Sequence, residues 1–393
     1  MTTDRCSPEA VKSSGLIQPP TLATSLPVAF GTGLIALDVI VNAEAVGEPA
    51  LAAGGTCGNV LAILSWLGWA AFPVARLNGD AAAGIVRADL RRWGVSLDFA
   101  AQAPTTATPI IVQTIRRDSH GSPIHRFSLV CPVCGAWFPS FRAITRAAAD
   151  GLVATLEDEA PADFKPRVFY FDRVSRGALI LAAAFAERGA VVMFEPASVG
   201  DPKLFKEALS MAHILKYSSE RLPFLASRQP SRRTLFLEVE TLGSRGLRYR
   251  SSLLSSQAWH ALEAIRAPDA VDTAGAGDWC TAGLLSLLAV AGASGLASSR
   301  ACDIVDGLRF GQAAAAVTCC FEGARGAMYE LSKSRFSQTI ASLLAAEGKL
   351  DLDRAGSRPR SEEGNRRSGP PKTAGLRSPE RRSPVGALCP LCV

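Results

Sequence analysis

Val271-Asp272-Thr273-Ala274-Gly275-Ala276-Gly277-Asp278 runs directly into Trp279-Cys280-Thr281-Ala282-Gly283-Leu284-Leu285, a glycine-rich turn opening onto an apolar helix. The small residues at 274–277 let the backbone curl closely round a ligand, because glycine accepts left-handed dihedrals and carries no side chain. The first N–H groups of the following helix have no partner one turn back. Together with the helix dipole they favour an anion, most often a phosphate. At position 278 a carboxylate would repel that phosphate unless it had a task, and taking the proton of an attacking hydroxyl is the task that fits. A strand-to-helix turn with a capping Asp is the plainer alternative for these residues taken alone. Two commoner glycine motifs fail. A dinucleotide fingerprint needs a third glycine where Cys280 stands, and the one Gly-Lys pair, Gly348-Lys349, precedes Leu350 instead of the Ser or Thr of a P-loop.

With 393 residues, 48% of them hydrophobic, the chain can bury a sizeable core. Its formal net charge is +6, but residues 351–393 carry 9 Lys+Arg against 5 Asp+Glu, so most of the excess lies in that tail. The rest is nearly neutral and has no basic stripe with interleaved aromatics, which argues against a nucleic-acid-binding domain. The most apolar run, 284–297, is too short for a membrane span and is interrupted by Gly292, Ser294 and Gly295. The N-terminus lacks a basic segment followed by an apolar run. Ten cysteines without an export signal read as reduced thiols in a cytoplasmic protein.

Residues 1–27 mix Ser, Thr and Pro without period and read as an N-terminal extension. Residues 28–38 read as one buried strand ending at Asp38, where α/β sheets place ligand contacts, so Asp38 is a candidate for polar substrate groups or else a solvated turn carboxylate. Ala53-Gly54-Gly55-Thr56-Cys57-Gly58-Asn59 is a second glycine turn opening a helix, and the Asn59 amide both donates and accepts, which suits a substrate rich in hydroxyls. A short strand over 72–77 precedes Gly79-Asp80 and Gly84, which start a helix running to Trp93 with Gly94 after it. Two β-rich runs, 109–115 and 124–130, are joined by a polar turn at 117–121 and form a hairpin suited to covering a site. His120 and His125 beside it read as surface or packing residues. From 168 to 240, strands at 168–171, 190–194, 213–217 and 233–240 alternate with helices at 175–188 and 201–210, the pattern of a mainly parallel sheet with helices on both faces. Thr241-Leu242-Gly243-Ser244-Arg245-Gly246 follows as a turn at a strand's C-terminal edge, and 301–320 is an Ala-rich helix. From 351 the Arg, Ser, Pro and Gly content cannot offset chain entropy, which predicts a disordered basic tail. Cys131-Pro132-Val133-Cys134-Gly135 has the spacing of half a zinc knuckle, and Cys389-Pro390-Leu391-Cys392 that of the other half. Reduced thiols are the preferred reading, because the second pair follows that tail.

In this order, Gly54-Gly55-x-x-x-Asn59, Gly79-Asp80 with Gly84, Thr241-x-Gly243-x-x-Gly246 and Asp272-Thr273-x-Gly275-Ala276-Gly277-Asp278 resemble the successive motifs of the ribokinase family, the PfkB carbohydrate kinases, over roughly residues 28–345. The resemblance implies a three-layer α/β/α fold with a mainly parallel central sheet and a small β lid at about 105–130, within a kinase domain spanning 28–350. It implies sugar-hydroxyl binding by Asp38, a sugar pocket lined by Gly54, Gly55 and Asn59, and Asp278 as general base beside an anion hole of Gly275, Ala276 and Gly277. Thr241, Gly243 and Gly246 would lie along ATP, with Gln312 where relatives often place an Asn near the adenine. Glu220 would help hold Mg2+, and Asp272 matches a monovalent-cation site of the kind that takes K+. The sequence departs from the family at Tyr217, which stands where relatives carry the Asn of Asn-x-x-Glu.

The function expected on these grounds is ATP-dependent phosphorylation of an alcohol on a sugar or sugar-like substrate. A nucleoside kinase of the same family, with Phe30, Trp137 or Phe138 stacking a base, and a non-catalytic sugar or nucleotide sensor are the alternatives. No membrane partner is expected. The exposed edges of a lid hairpin suggest a homodimer formed through the lid.

Overall fold

The computed structural model describes residues 26–44, 47–77, 79–102, 107–158, 164–227, 234–354 and 388–389. The expected extension over 1–27 and the tail beyond 354 fall almost entirely outside these residues. Strand β1 (Val28–Thr32) enters the main sheet one place from its edge, β2 (Ala36–Asn42) and β3 (Ala50–Gly54) leave it, and α1 (Thr56–Trp66) leads back to the edge strand β4 (Ala70–Pro73). A satellite of β5 (Ala75–Leu77), α2 (Ala81–Arg92) and β6 (Ala100–Gln102) follows, then the hairpin β7 (Ile110–Arg117) and β8 (Pro123–Ser128). After α3 (Arg146–Asp158) the chain settles into βα rhythm through β9 (Pro166–Phe171), α4 (Arg176–Glu187), β10 (Val191–Phe194), α5 (Pro202–Met211), β11 (Ile214–Ser218) and β12 (Leu237–Thr241). Two antiparallel strands, β13 (Leu247–Ser251) and β14 (His260–Leu262), precede the helices α6 (Ala276–Leu288), α7 (Gly292–Ala297), α8 (Ala301–Thr318), α9 (Gly326–Glu330) and α10 (Lys333–Arg354).

The eight-stranded sheet has the order β14-β13-β12-β11-β10-β9-β1-β4, parallel from β4 to β12. Side chains alternate between its two faces, and on the central strands both sets are apolar. Val168 and Tyr170 of β9 join the core beneath α1, α6 and α8, whereas Phe169 and Phe171 join the core against α3, α4 and α5. Val191 and Met193 of β10 divide from Val192 and Phe194 in the same way. This double burial is why the segments read as continuous apolar runs, and it fixes a three-layer α/β/α architecture, as expected.

Four boundaries differ from the sequence reading. The run 28–38 is two strands separated at Gly33-Leu34-Ile35, so Asp38 lies inside β2 and not at the end of a core strand. Strand β2 belongs to a second sheet, β3-β2-β7-β8, so the lid is not the 105–130 hairpin alone but that hairpin docked in parallel on β2, with Asp38 paired to Ile111. The run 72–77 likewise divides at Val74 between the main sheet and the β5–β6 pair. Composition places 351–354 in the tail, but they form the last turn of α10.

Candidate active site

The turn at 271–278 lies beyond the C-terminal edges of the parallel strands, where helix α6 begins. Gly275 is its N-cap with φ 74, a left-handed backbone, and a Cβ there would stand 2.3 Å from the Ala324 carbonyl oxygen. The Ala276 N–H donates to the Thr273 carbonyl (3.3 Å) and the Trp279 N–H to the Gly275 carbonyl (2.9 Å). Among the described residues the N–H groups of Gly275, Gly277 and Asp278 donate to no protein acceptor. Three donors are therefore available to an anion, but not the trio the sequence suggested: Ala276 closes the turn, and Asp278 contributes its own N–H. Asp272, 1% exposed, braces the loop. Its Oδ2 accepts from Gln113 Nε2 and the Gly323 N–H, and its Oδ1 from the Ala274 N–H.

Asp278 is held from the opposite side. Arg325, buried beside α1, donates from Nε to Asn59 Oδ1 (3.1 Å), which turns the Asn59 amide so that Nδ2 donates to Asp278 Oδ2 (2.8 Å). Asp89 and the Ala53 carbonyl anchor the same guanidinium, and the Tyr329 hydroxyl donates to Asp89. The Asp278 carboxyl is open toward the cavity but walled by protein elsewhere. Burial, and then the nearby Glu195 carboxylate, raise its pKa to about 7 against the lowering effects of the Asn59 hydrogen bond and Lys216. Burial also lifts Asp38 to about 7, opposed by the charge of Arg325. Gly54 is explained here. A Cβ at 54 would fall 2.0 Å from the Asp38 carboxyl, so this glycine makes room for Asp38 and does not itself face the cavity; Gly55, with φ 77, caps α1 and does.

The strand ends supply the remaining charge. Glu195 follows β10 and accepts from Thr281 Oγ1 (2.6 Å) and Tyr170 Oη (3.3 Å). It also pairs with Lys216, whose Nζ, only 2% exposed, donates to the Gly277 carbonyl (3.1 Å) as well. Burial pulls the Lys216 pKa down, yet the Glu195 charge outweighs it and the ammonium is held above its ordinary range. Asp172 follows β9, accepts from the Leu34 N–H (3.0 Å) and Arg173 Nη1 (2.9 Å), and is raised to about 6 chiefly by burial. Sequence reasoning passed over Glu195, Asp172 and Arg325. The first two carry a signal, an acid just past a core strand; Arg325 carries none, because its partners lie 236 and 266 residues away.

These groups open on one cavity of about 620 Å3, within the range of small-molecule sites. Asp38, Gly55, Asn59, Glu220, Thr241, Gly275, Gly277 and Asp278 line it. Asp272, Ala276, Gly243, Gly246 and Gln312 stand behind it, not on its wall. Gln312 holds the Glu263 carbonyl through Nε2 (3.0 Å), while its buried Oε1 has no partner among the described residues. The lid closes one side with Ile111, Gln113, His125 and Phe127. His125, read as a packing residue from the sequence, lies over the turn with Nδ1 3.1 Å from Thr273 Oγ1 and 3.6 Å from Asp272 Oδ1. Of the expected stacking residues, Phe30 and Phe138 are core, and Trp137 is 76% exposed away from the cavity.

The profile of the pfkB family carbohydrate kinase matches residues 178–330, which include both the 241–246 and 272–278 motifs. No curated protein matches the chain in sequence. Solved structures share the fold: a Vibrio cholerae fructokinase variant bound to fructose, ADP and potassium (19% identity, TM-score 0.59, 80% of this chain and 99% of that one) and a Burkholderia thailandensis nucleoside kinase in complex with inosine (16%, 0.57, 81% and 97%). An aminoimidazole riboside kinase from Salmonella enterica, complexed with aminoimidazole riboside and an ATP analog, is similar at 17% identity and TM-score 0.56, over 80% of this chain and 99% of that one. Residues 178–330 thus carry the pfkB family carbohydrate kinase match, and the chain shares the three-layer fold of these kinases.

Proposed function

We propose that this protein transfers the γ-phosphoryl group of ATP to an alcohol of a sugar or sugar-like substrate. The observation that carries the reading is one juxtaposition: the Asp278 carboxylate, steered by Asn59, stands beside the unbound N–H groups of Gly275, Gly277 and Asp278 in a single cavity. A hydroxyl placed against Asp278 gives up its proton as its oxygen attacks phosphorus in line, and the N–H groups stabilise the charge on the transferring group. Asp38 and Asn59 orient the acceptor's other hydroxyls, and the lid strands limit the access of water to the phosphate. The fructose and ADP in the Vibrio cholerae relative support this choice of ligands.

On the nucleotide side, Thr241 at the end of β12 lies along the triphosphate path, with Gly243 and Gly246 shaping the turn behind it. The unpartnered Gln312 Oε1 is an acceptor of the kind an adenine amine would satisfy. Mg2+, when bound with the nucleotide, neutralises phosphate charge, and the exposed carboxylate of Glu220 in the cavity fits an oxygen ligand for it. Asp272 fits a K+ role only at Oδ1, since Oδ2 already accepts two N–H groups. A nucleoside acceptor is the second reading, favoured by Phe127, 47% exposed and facing the cavity beside His125.

ADP release measured over a panel of sugars and nucleosides tests both. Asp278→Asn is expected to lower turnover by roughly 10²- to 10⁴-fold with acceptor affinity retained. Near-normal turnover in that variant sinks the base assignment. Ligand binding without ADP release from any acceptor would mark a non-catalytic sensor instead.

A further inference from the structure

Cys131, Cys134 and Cys389, none of which lines the strand-edge cavity, come together with their three sulfurs within 4.8 Å of one another. The Cys134 and Cys389 sulfurs are 3.6 Å apart, across 255 residues of chain. That is too long for the ~2.05 Å bond of a disulfide. It is close to the ~3.8 Å edge of a tetrahedron whose centre-to-sulfur distance is the ~2.3 Å of a zinc–thiolate bond.

The local backbone is built for this. The Gly135 N–H donates to the Cys131 carbonyl (2.9 Å) and the Cys131 N–H to the Ala136 carbonyl (2.8 Å), with Gly135 at φ 75. This tight turn sits at the tip of a small hairpin closed by the Val130–Trp137 bridge and aims both of its cysteines at one point. Cys131 and Cys389 are buried, at 1% and 2% exposure, and pack into the core with Phe138, while Cys134 closes the cluster from the surface. Three thiols converge on one point, and a disulfide would use only two of them.

We propose that Cys131, Cys134 and Cys389 bind a zinc ion that pins the segment around Cys389 to the end of the lid. Cys392 lies outside the described residues. Ligation by sulfur alone from the protein selects zinc, and each thiol releases its proton to solvent as its bond to the ion forms. The turn begins just past Leu129, which with His125 and Phe127 lines the cavity, so the ion would fix the base of a strand that covers the site. The site stands independently of the proposed kinase activity.

The test is metal content and coordination in the full chain, purified under reducing conditions. About one zinc per chain is expected, and the cobalt-substituted protein should show the thiolate charge-transfer absorption of a tetrahedral sulfur site. Cys134→Ser and Cys389→Ser should lose the stoichiometric zinc, and Cys320→Ser, which lies outside the cluster, should keep it. The proposal is overturned if the reduced protein takes up no zinc when Zn2+ is supplied, if iron occupies the site instead, or if mass analysis finds the cysteines in a disulfide with no metal. Zinc retained undiminished by Cys134→Ser would overturn it as well.

Discussion

Gly275 and Gly277 lie two residues apart in one motif and answer to different constraints. At 275 the backbone is left-handed and a Cβ would collide with the Ala324 carbonyl, so Gly275→Ala is expected to cost at least about 2 kcal/mol of stability, read as a lower Tm. At 277 a Cβ would make only ordinary contacts, 3.7 Å from Lys216 Nζ and 4.0 Å from Glu195 Oε1. Gly277→Ala should therefore fold with little change in Tm and lose nucleotide affinity, because its methyl group enters the space proposed for phosphate. Asp278 must be ionised to accept a proton, and its carboxyl is raised to about 7, so kcat/KM should climb with pH along a limb centred near that value. Removing the Asn59 hydrogen bond, which lowers that pKa, should move the limb to higher pH in Asn59→Ala; a limb that stays in place would separate Asn59 from the base. The sequence displayed both glycines and the carboxylate. It did not show that Ala276 spends its N–H on Thr273, because that depends on how tightly the turn closes.

Between elements, Lys216 ties the end of β11 to the end of β10 through Glu195 and to the start of α6 through the Gly277 carbonyl. It is 2% exposed, and the pair shares its surroundings with Thr281 and Tyr170. Lys216→Met strands the Glu195 carboxylate in that setting and is expected to destabilise by about 3 kcal/mol, checked by chemical denaturation. If Lys216 serves only as a catalytic cation, stability will not move and only turnover will fall. Helices α4, α5 and α8 and strands β9, β10 and β11 were legible to within about two residues, the helices by their apolar stripes and the strands as continuous apolar runs, whereas β12 starts at Leu237 and not at 233, and α3 and α10 carried no reading. The lid was legible only as a hairpin, from the β-rich runs 109–115 and 124–130, but that it docks on β2, and that Asp38 therefore belongs to the lid, depends on pairing between segments some 70 residues apart in sequence.

Across the molecule, three buried carboxyls on separate elements are raised, Asp38 on the lid strand β2 and Asp278 at the start of α6 to about 7, and Asp172 just past β9 to about 6. A carboxyl whose folded pKa lies above its unfolded value near 3.9 is held protonated by the fold, so its contribution to stability is full below about pH 4 and is lost as pH rises through the folded value. For Asp38 that loss is at most about 4 kcal/mol between pH 4 and 8. Asp38→Asn should therefore reduce the fall in Tm from pH 5 to pH 8; an unchanged fall would place Asp38 among solvated carboxylates. The sequence alone was enough for the three-layer class, the order of the motifs and the candidate carboxylate at 278, because apolar runs of strand and helix length and a glycine turn before a helix are local properties. Tertiary structure alone decided that Arg325 orients Asn59, that Glu195 and Lys216 support the turn, that Gly54 exists to admit Asp38, and that Cys131 and Cys134 meet Cys389 at one point. Each of these is a contact between segments distant in the chain, and no local pattern of residue types encodes which distant segment will arrive.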